Sequence, residues 1–89
     1  MINYERQSEI FKSLGHPTRL MLAYRLRDKE LCVNELNHLI KIDQSILPRH
    51  LKTLKDAGVL KIRKDSMQVL YSLRVLYLLN NTLECIENI

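Results

Sequence analysis

The side chains most able to do chemistry in this 89-residue sequence are two thiols and three imidazoles: Cys32, Cys85, His16, His38 and His50. Cys32 stands in the stretch ELCVNEL, two residues before Asn34, with no second thiol beside it. A soft ion asks for sulfur ligands in number. Zinc normally takes about four ligands, and Cys32 with His38 would begin such a set without completing it. Each histidine therefore reads as structural rather than metal-ligating, and Cys32 reads first as a packing residue. Thiol reactivity follows exposure and pKa, which makes Cys32 and Cys85 the candidates for redox or effector chemistry. Catalysis has no foothold: there are only two glycines, no Gly-rich phosphate loop and no Ser/His/Asp constellation. No enzyme, catalytic residue, metal site or cofactor is expected.

A second set of residues suits a polyanion. Between Lys41 and Lys64 stand seven Lys/Arg against two acids, so this stretch carries +5 while the other 65 residues sum to −1. Charge confined to one quarter of a chain points to nucleic acid more than to a solvated face. Gln44, Ser45, Arg49, His50, Lys52 and Lys55 supply donors and acceptors for base edges and phosphates. Arg63, Lys64 and Gln68 could reach the DNA backbone from a neighbouring hairpin.

The elements that must position these groups follow from the apolar spacing. In Tyr4 to Leu14, Ile10, Phe11 and Leu14 recur at one-turn intervals. Gly15-His16-Pro17 breaks that helix and opens another, Pro17 fitting a first turn because its missing N–H would be unpaired there. Leu20, Leu22, Ala23 and Leu26 form the buried side of the second helix. Asn34 reads as the N-cap of a short third helix, with Leu36, Leu39 and Ile40 inward. Lys41-Ile42-Asp43 then leads to a longer helix, capped by Asp43 and ended by Gly58. Short helix, tight turn and longer helix make a helix-turn-helix outline. Leu47, Leu51 and Leu54 give the long helix its core face; Ser45, Arg49, Lys52 and Asp56 give the opposite one. Pro48, read as falling past the first turn, predicts a bent or loosened helix start. VLKIRKDSMQVLYSL alternates around Leu60, Ile62, Val69 and Tyr71, which predicts a β-hairpin turning at Lys64-Asp65-Ser66. Leu76, Leu79, Leu83 and Ile86 line a closing helix and suit a seam with a second subunit.

The fold expected is one domain over residues 1–89, mainly α with a small β-hairpin, paired through helices at about 3–14 and 75–87. Dimerisation suits a chain whose isolated core would be marginal. The polar first residues MINYERQSEI are unlike a signal peptide, and no apolar run is long enough to span a bilayer. With only two, widely spaced cysteines, a reducing compartment is expected. The expectation is thus a cytoplasmic protein with no membrane partner.

LGHPTRLMLAYRL, ELCVNEL and DQSILPRHLKTLKDAGVL, taken together over residues 10 to 73, resemble the ArsR/SmtB family of dimeric winged-helix repressors. The resemblance implies a winged helix-turn-helix regulator of transcription that binds a palindromic operator in double-stranded DNA and is released by an ion or small-molecule effector. It also implies a homodimer built on the first and last helices, here Ile10, Leu14, Leu76, Leu79, Leu83 and Ile86. Two positions depart from the family pattern: Pro48 replaces a small polar residue, and Ser66 replaces the glycine of the wing tip. In arsenic-sensing members the stretch matching ELCVNEL holds three cysteines. Cys32 keeps the first, whereas Asn34 and Asn37 occupy the other two positions. The zinc-type site of other members uses Asp and His on the last helix, and residues 73–89 contain neither. Two alternatives remain: a winged-helix module that binds an acidic protein, and a thiol redox-responsive regulator using Cys32 and Cys85.

Overall fold

The computed structural model describes residues 3–74. The closing helix expected over 75–87, with Leu76, Leu79, Leu83, Cys85 and Ile86, lies outside the described residues. Four helices precede a two-stranded antiparallel sheet: α1 (Tyr4–Leu14), α2 (Pro17–Arg25), α3 (Val33–Leu39), α4 (Leu47–Asp56), β1 (Leu60–Asp65) and β2 (Gln68–Leu73).

Local chemistry sets each boundary. Asn3 caps α1 by accepting from the Arg6 N–H at 3.1 Å. His16 does the same for α2 through Nδ1, which accepts from the Thr18 N–H at 3.1 Å, with Pro17 in the first turn. The third helix begins at Cys32 rather than Asn34. Cys32 is the extended N-cap residue, and the Glu35 carboxylate reaches back to accept from its N–H at 3.1 Å. That N–H holds the Glu35 carboxyl below its ordinary pKa. Asn34 stands already inside the helix. Of its expected inward residues Leu36 and Ile40 are buried, whereas Leu39 is 42% exposed.

The start of α4 also moves. Asp43 caps a turn, not the helix: its Oδ1 accepts from the Ser45 N–H (2.9 Å) and the Ser45 hydroxyl (2.8 Å). The helix begins only at Leu47, and Pro48 falls at its second position. There its missing N–H deletes no intrahelical bond, so the loosened helical turn expected from a later proline is replaced by a plain helix start. The helix ends as a Schellman motif. Gly58 at φ 85 donates to the Lys55 carbonyl (3.0 Å), and Val59 donates to the Leu54 carbonyl (2.9 Å).

The core gathers Leu22 and Leu26 of α2, Leu36 and Ile40 around α3, and Leu47, Leu51 and Leu54 of α4, closed by Val59, Leu60 and Leu73. Ile10 of α1 joins it at 6% exposure, so this residue, expected at a subunit seam, already packs within its own chain. Leu14 is half-buried against the same core, whereas Phe11 is 46% exposed. The hairpin pairs Leu60 with Leu73 at its base and Asp65 with Gln68 at its tip. Its turn is Ser66-Met67, one step beyond the tip expected, and Ser66 adopts φ 57, the left-handed conformation that glycine takes without steric cost. Leu31 pairs with Tyr71 through two backbone bonds (2.8 and 3.0 Å), tying the segment before α3 to the outer edge of the hairpin.

Candidate nucleic-acid interface

The polar residues expected to meet DNA fall into two groups around α4 and the hairpin. Arg49, Lys52 and Lys55 are exposed along α4, opposite the buried Leu47, Leu51 and Leu54. Gln44 and Ser45 are exposed in the turn that delivers the chain into the helix, not on the helix itself. Ser45 spends its hydroxyl proton on Asp43, whose carboxyl is held below its usual pKa by the Ser45 N–H and hydroxyl. The hydroxyl oxygen of Ser45 is left as an acceptor. Lys52 Nζ lies 2.7 Å from Asp56 Oδ2, one turn along the helix, and holds that carboxyl ionised. Thr53 bonds back to the Arg49 carbonyl at 3.0 Å, a contact that fixes its rotamer.

His50 departs from its expected place. It lies at i+3 from Leu47 and i−4 from Leu54, on the buried stripe, and is only 9% exposed. Its ring packs 4.7 Å from that of His16, tilted by 47°. Burial is the largest cause that holds its pKa below the ordinary value, with His16, Arg19 and Arg49 acting in the same direction. The i, i+3, i+4, i+7 spacing of 47, 50, 51 and 54 was the signal available in the sequence.

The hairpin divides its cations between two faces. Strand alternation puts Lys61, Arg63 and the tip pair Asp65–Gln68 on one face, and Ile62, Lys64, Val69 and Tyr71 on the other. Arg63 and Lys64 therefore do not share one surface. Arg63 makes a two-pronged pair with Glu30, at 3.0 Å through Nε and 2.8 Å through Nη2. The pair lowers the Glu30 pKa and raises that of Arg63. Glu30 immediately precedes the bridging Leu31, so this ion pair braces the middle of the hairpin, a role unforeseen from charge alone. Lys64 and Gln68 are exposed at the tip.

Cys32 is half-buried at the N-cap of α3 with a free thiol. Asn34 and Asn37 stand at the two positions where the arsenic-sensing pattern has cysteines. Among the described residues no three of His, Cys, Asp and Glu gather where they could hold an ion, and no helix there is long and apolar enough to cross a membrane.

A short helix, a turn, a second helix with a cationic outer face and a hairpin beside it define a winged helix-turn-helix. The model of the bacterial regulatory protein, arsR family, matches residues 16–61. The chain is 41% identical over 66 residues to an HTH-type transcriptional regulator of Methanocaldococcus jannaschii, covering 73% of this chain and 74% of that one. It is 32% identical over 80 residues to the HTH-type transcriptional repressor SmtB of Mycobacterium tuberculosis, covering 90% of this chain but only 59% of the relative. The transcriptional repressor BigR of Xylella fastidiosa has a similar fold, with a TM-score of 0.78 at 30% identity over 92% of this chain and 87% of that one. The chain belongs to the ArsR family of regulators.

Proposed function

We propose that this chain is a sequence-specific DNA-binding repressor that acts as a homodimer on a palindromic operator in the cytoplasm. It works by binding, not by catalysis, and is released by an ion or small-molecule effector. In this reading α4 enters the major groove, and two copies address half-sites about 34 Å apart. Gln44 and Ser45, in the turn that feeds α4, and Arg49 and Lys55 along it face the bases and phosphates. Lys64 and Gln68 at the hairpin tip touch the flanking backbone. Lys52 and Arg63 reach phosphate only by exchanging a carboxylate partner for it.

The observation that carries this reading is the divided surface of α4. Three leucines and a histidine anchor one side, and exposed cations on the other leave a rigid helix free to be read against a polyanion. The test is binding to a duplex that holds the inverted repeat of the protein's own promoter, compared with a scrambled duplex. Arg49→Ala should cost about 1–3 kcal/mol per half-site and relax the preference between duplexes. Unchanged affinity and preference would remove α4 from the interface. A protein-binding role would show itself instead as weak, salt-sensitive affinity with no preference for the repeat over the scrambled duplex.

A further inference from the structure

We propose that the cleft between α1, α2 and α4 binds a small oxyanion carrying at least two negative charges, a phosphate or a polycarboxylate. The cleft is open to solvent and holds about 500 Å³, within the range of sites that take metabolite-sized ligands. Arg6 and Lys12 of α1 and Arg19 of α2 stand around it, with Glu9 and with Thr53 and Asp56 of α4. Charge within this ring is unbalanced. Asp56 is already neutralised by Lys52 at 2.7 Å, and among the described residues Arg6, Lys12 and Arg19 form no ion pair. Glu9 is the remaining acid in the ring, against three cations.

One of the cations is held in place, and a second lies beside the end of α4. Arg19 donates through Nε to the backbone carbonyl of Ser13, itself a buried residue, so the guanidinium is anchored and its terminal nitrogens remain available. Arg6 lies against the end of α4, its Nη2 only 3.3 Å from where a Cβ on Gly58 would sit. The glycine of the helix cap thus leaves room for a guanidinium at the mouth of the cleft. Planar guanidinium groups bind phosphate and carboxylate oxygens by paired hydrogen bonds, and Lys12 adds a mobile point charge. The face of α1 that carries Arg6, Glu9 and Ser13 is turned away from the one that carries the exposed Tyr4 and Phe11, so a partner seated on those aromatics would leave the cleft open.

The test uses the whole chain, titrated calorimetrically with inorganic pyrophosphate and with citrate, each against sodium chloride of matched ionic strength. We expect saturable binding of at least one anion, weakened at least tenfold by Lys12→Gln and by Arg6→Gln, both exposed positions that the fold tolerates. Lys29→Gln and Lys61→Gln, exposed and outside both the cleft and the proposed DNA surface, should leave it unchanged. The tighter of the two anions fixes the ligand class. No binding beyond the salt control, or equal weakening by all four variants, would overturn the site. Duplex binding supplies the last arm. If Lys12→Gln lowers the salt slope by about 2 per dimer, its ammonium contacts DNA phosphate and the small-anion assignment fails; an unchanged slope supports it. Because pyrophosphate is titrated onto free protein, this result stands or falls independently of the DNA reading, which Arg49→Ala tests.

Discussion

His50 shares the dielectric of the core, and that has a consequence for stability. Burial disfavours its charged form, so the ring's pKa lies below the usual histidine value while the unfolded chain keeps that value. The unfolded state then binds the proton more readily. Stability contributed by the neutral ring is full above about pH 6.5 and is lost as pH falls below it. The groups facing the ring, His16, Arg19 and Arg49, oppose protonation too. Thermal melts should show a larger loss between about pH 7.5 and 5.5 for the wild type than for His50→Gln; equal pH dependence would sink this account. The residue also marks a limit of reading by type. A histidine among arginine and lysine looks like part of a polar surface, yet its spacing from Leu47 and Leu54 puts it inside. Cys32 runs the other way. The residue that seemed to stand before a helix is its N-cap, positioned by a carboxylate three residues on. A thiol rarely occupies that position, so composition pointed to Asn34 and only the backbone settled the boundary.

Among the elements, α4 was legible in its faces and illegible in its beginning. The leucine spacing, the cationic side and the stop at Gly58 all follow from local rules that the tertiary structure leaves intact. Its start depended on which backbone donors Asp43 would satisfy. An aspartate can close a two-residue turn as readily as it can cap a helix, and spacing does not choose between them. Here it binds Ser45, which delays the helix to Leu47 and moves Pro48 into the first turn. This relocation is measurable. A proline in a helix interior costs about 3 kcal/mol, so Pro48→Ala would stabilise strongly had α4 begun at Gln44. With α4 as observed, the same change should alter stability by less than about 1 kcal/mol, and slightly unfavourably, because the unfolded chain gains freedom. Urea denaturation of the two proteins decides it, and a gain of several kcal/mol would restore the earlier start. The hairpin was legible in its alternation, but the reach of its cations was not. The Glu30–Arg63 pair cannot be seen without the tertiary structure, whereas the separation of Arg63 from Lys64 follows from alternation once the strand is granted.

For the whole molecule, the described chain leaves apolar surface where a partner would sit. Tyr4 and Phe11 are seven residues apart, two turns along α1, and both are exposed. Ile10, one residue from Phe11, is spent on the domain's own core, so a seam through α1 falls to the aromatics. Phe11→Glu should sediment as a monomer and bind a full palindrome no better than a half-site; a stable dimer would move the seam elsewhere. The bridge between Leu31 and Tyr71 acts at the same scale. It joins positions forty residues apart in sequence and donates a backbone N–H each way, at 3.0 and 2.8 Å. Hydrogen exchange at these two amides should thus report opening of the entire domain, since neither bond can break by unzipping the hairpin from its tip. The amides of Ser66 and Met67, beyond the last strand pair, should exchange by local fraying alone. One molecule would then keep two clocks: a slow one midway along the wing, where it is bridged to the helical body, and a fast one at the tip proposed to meet DNA.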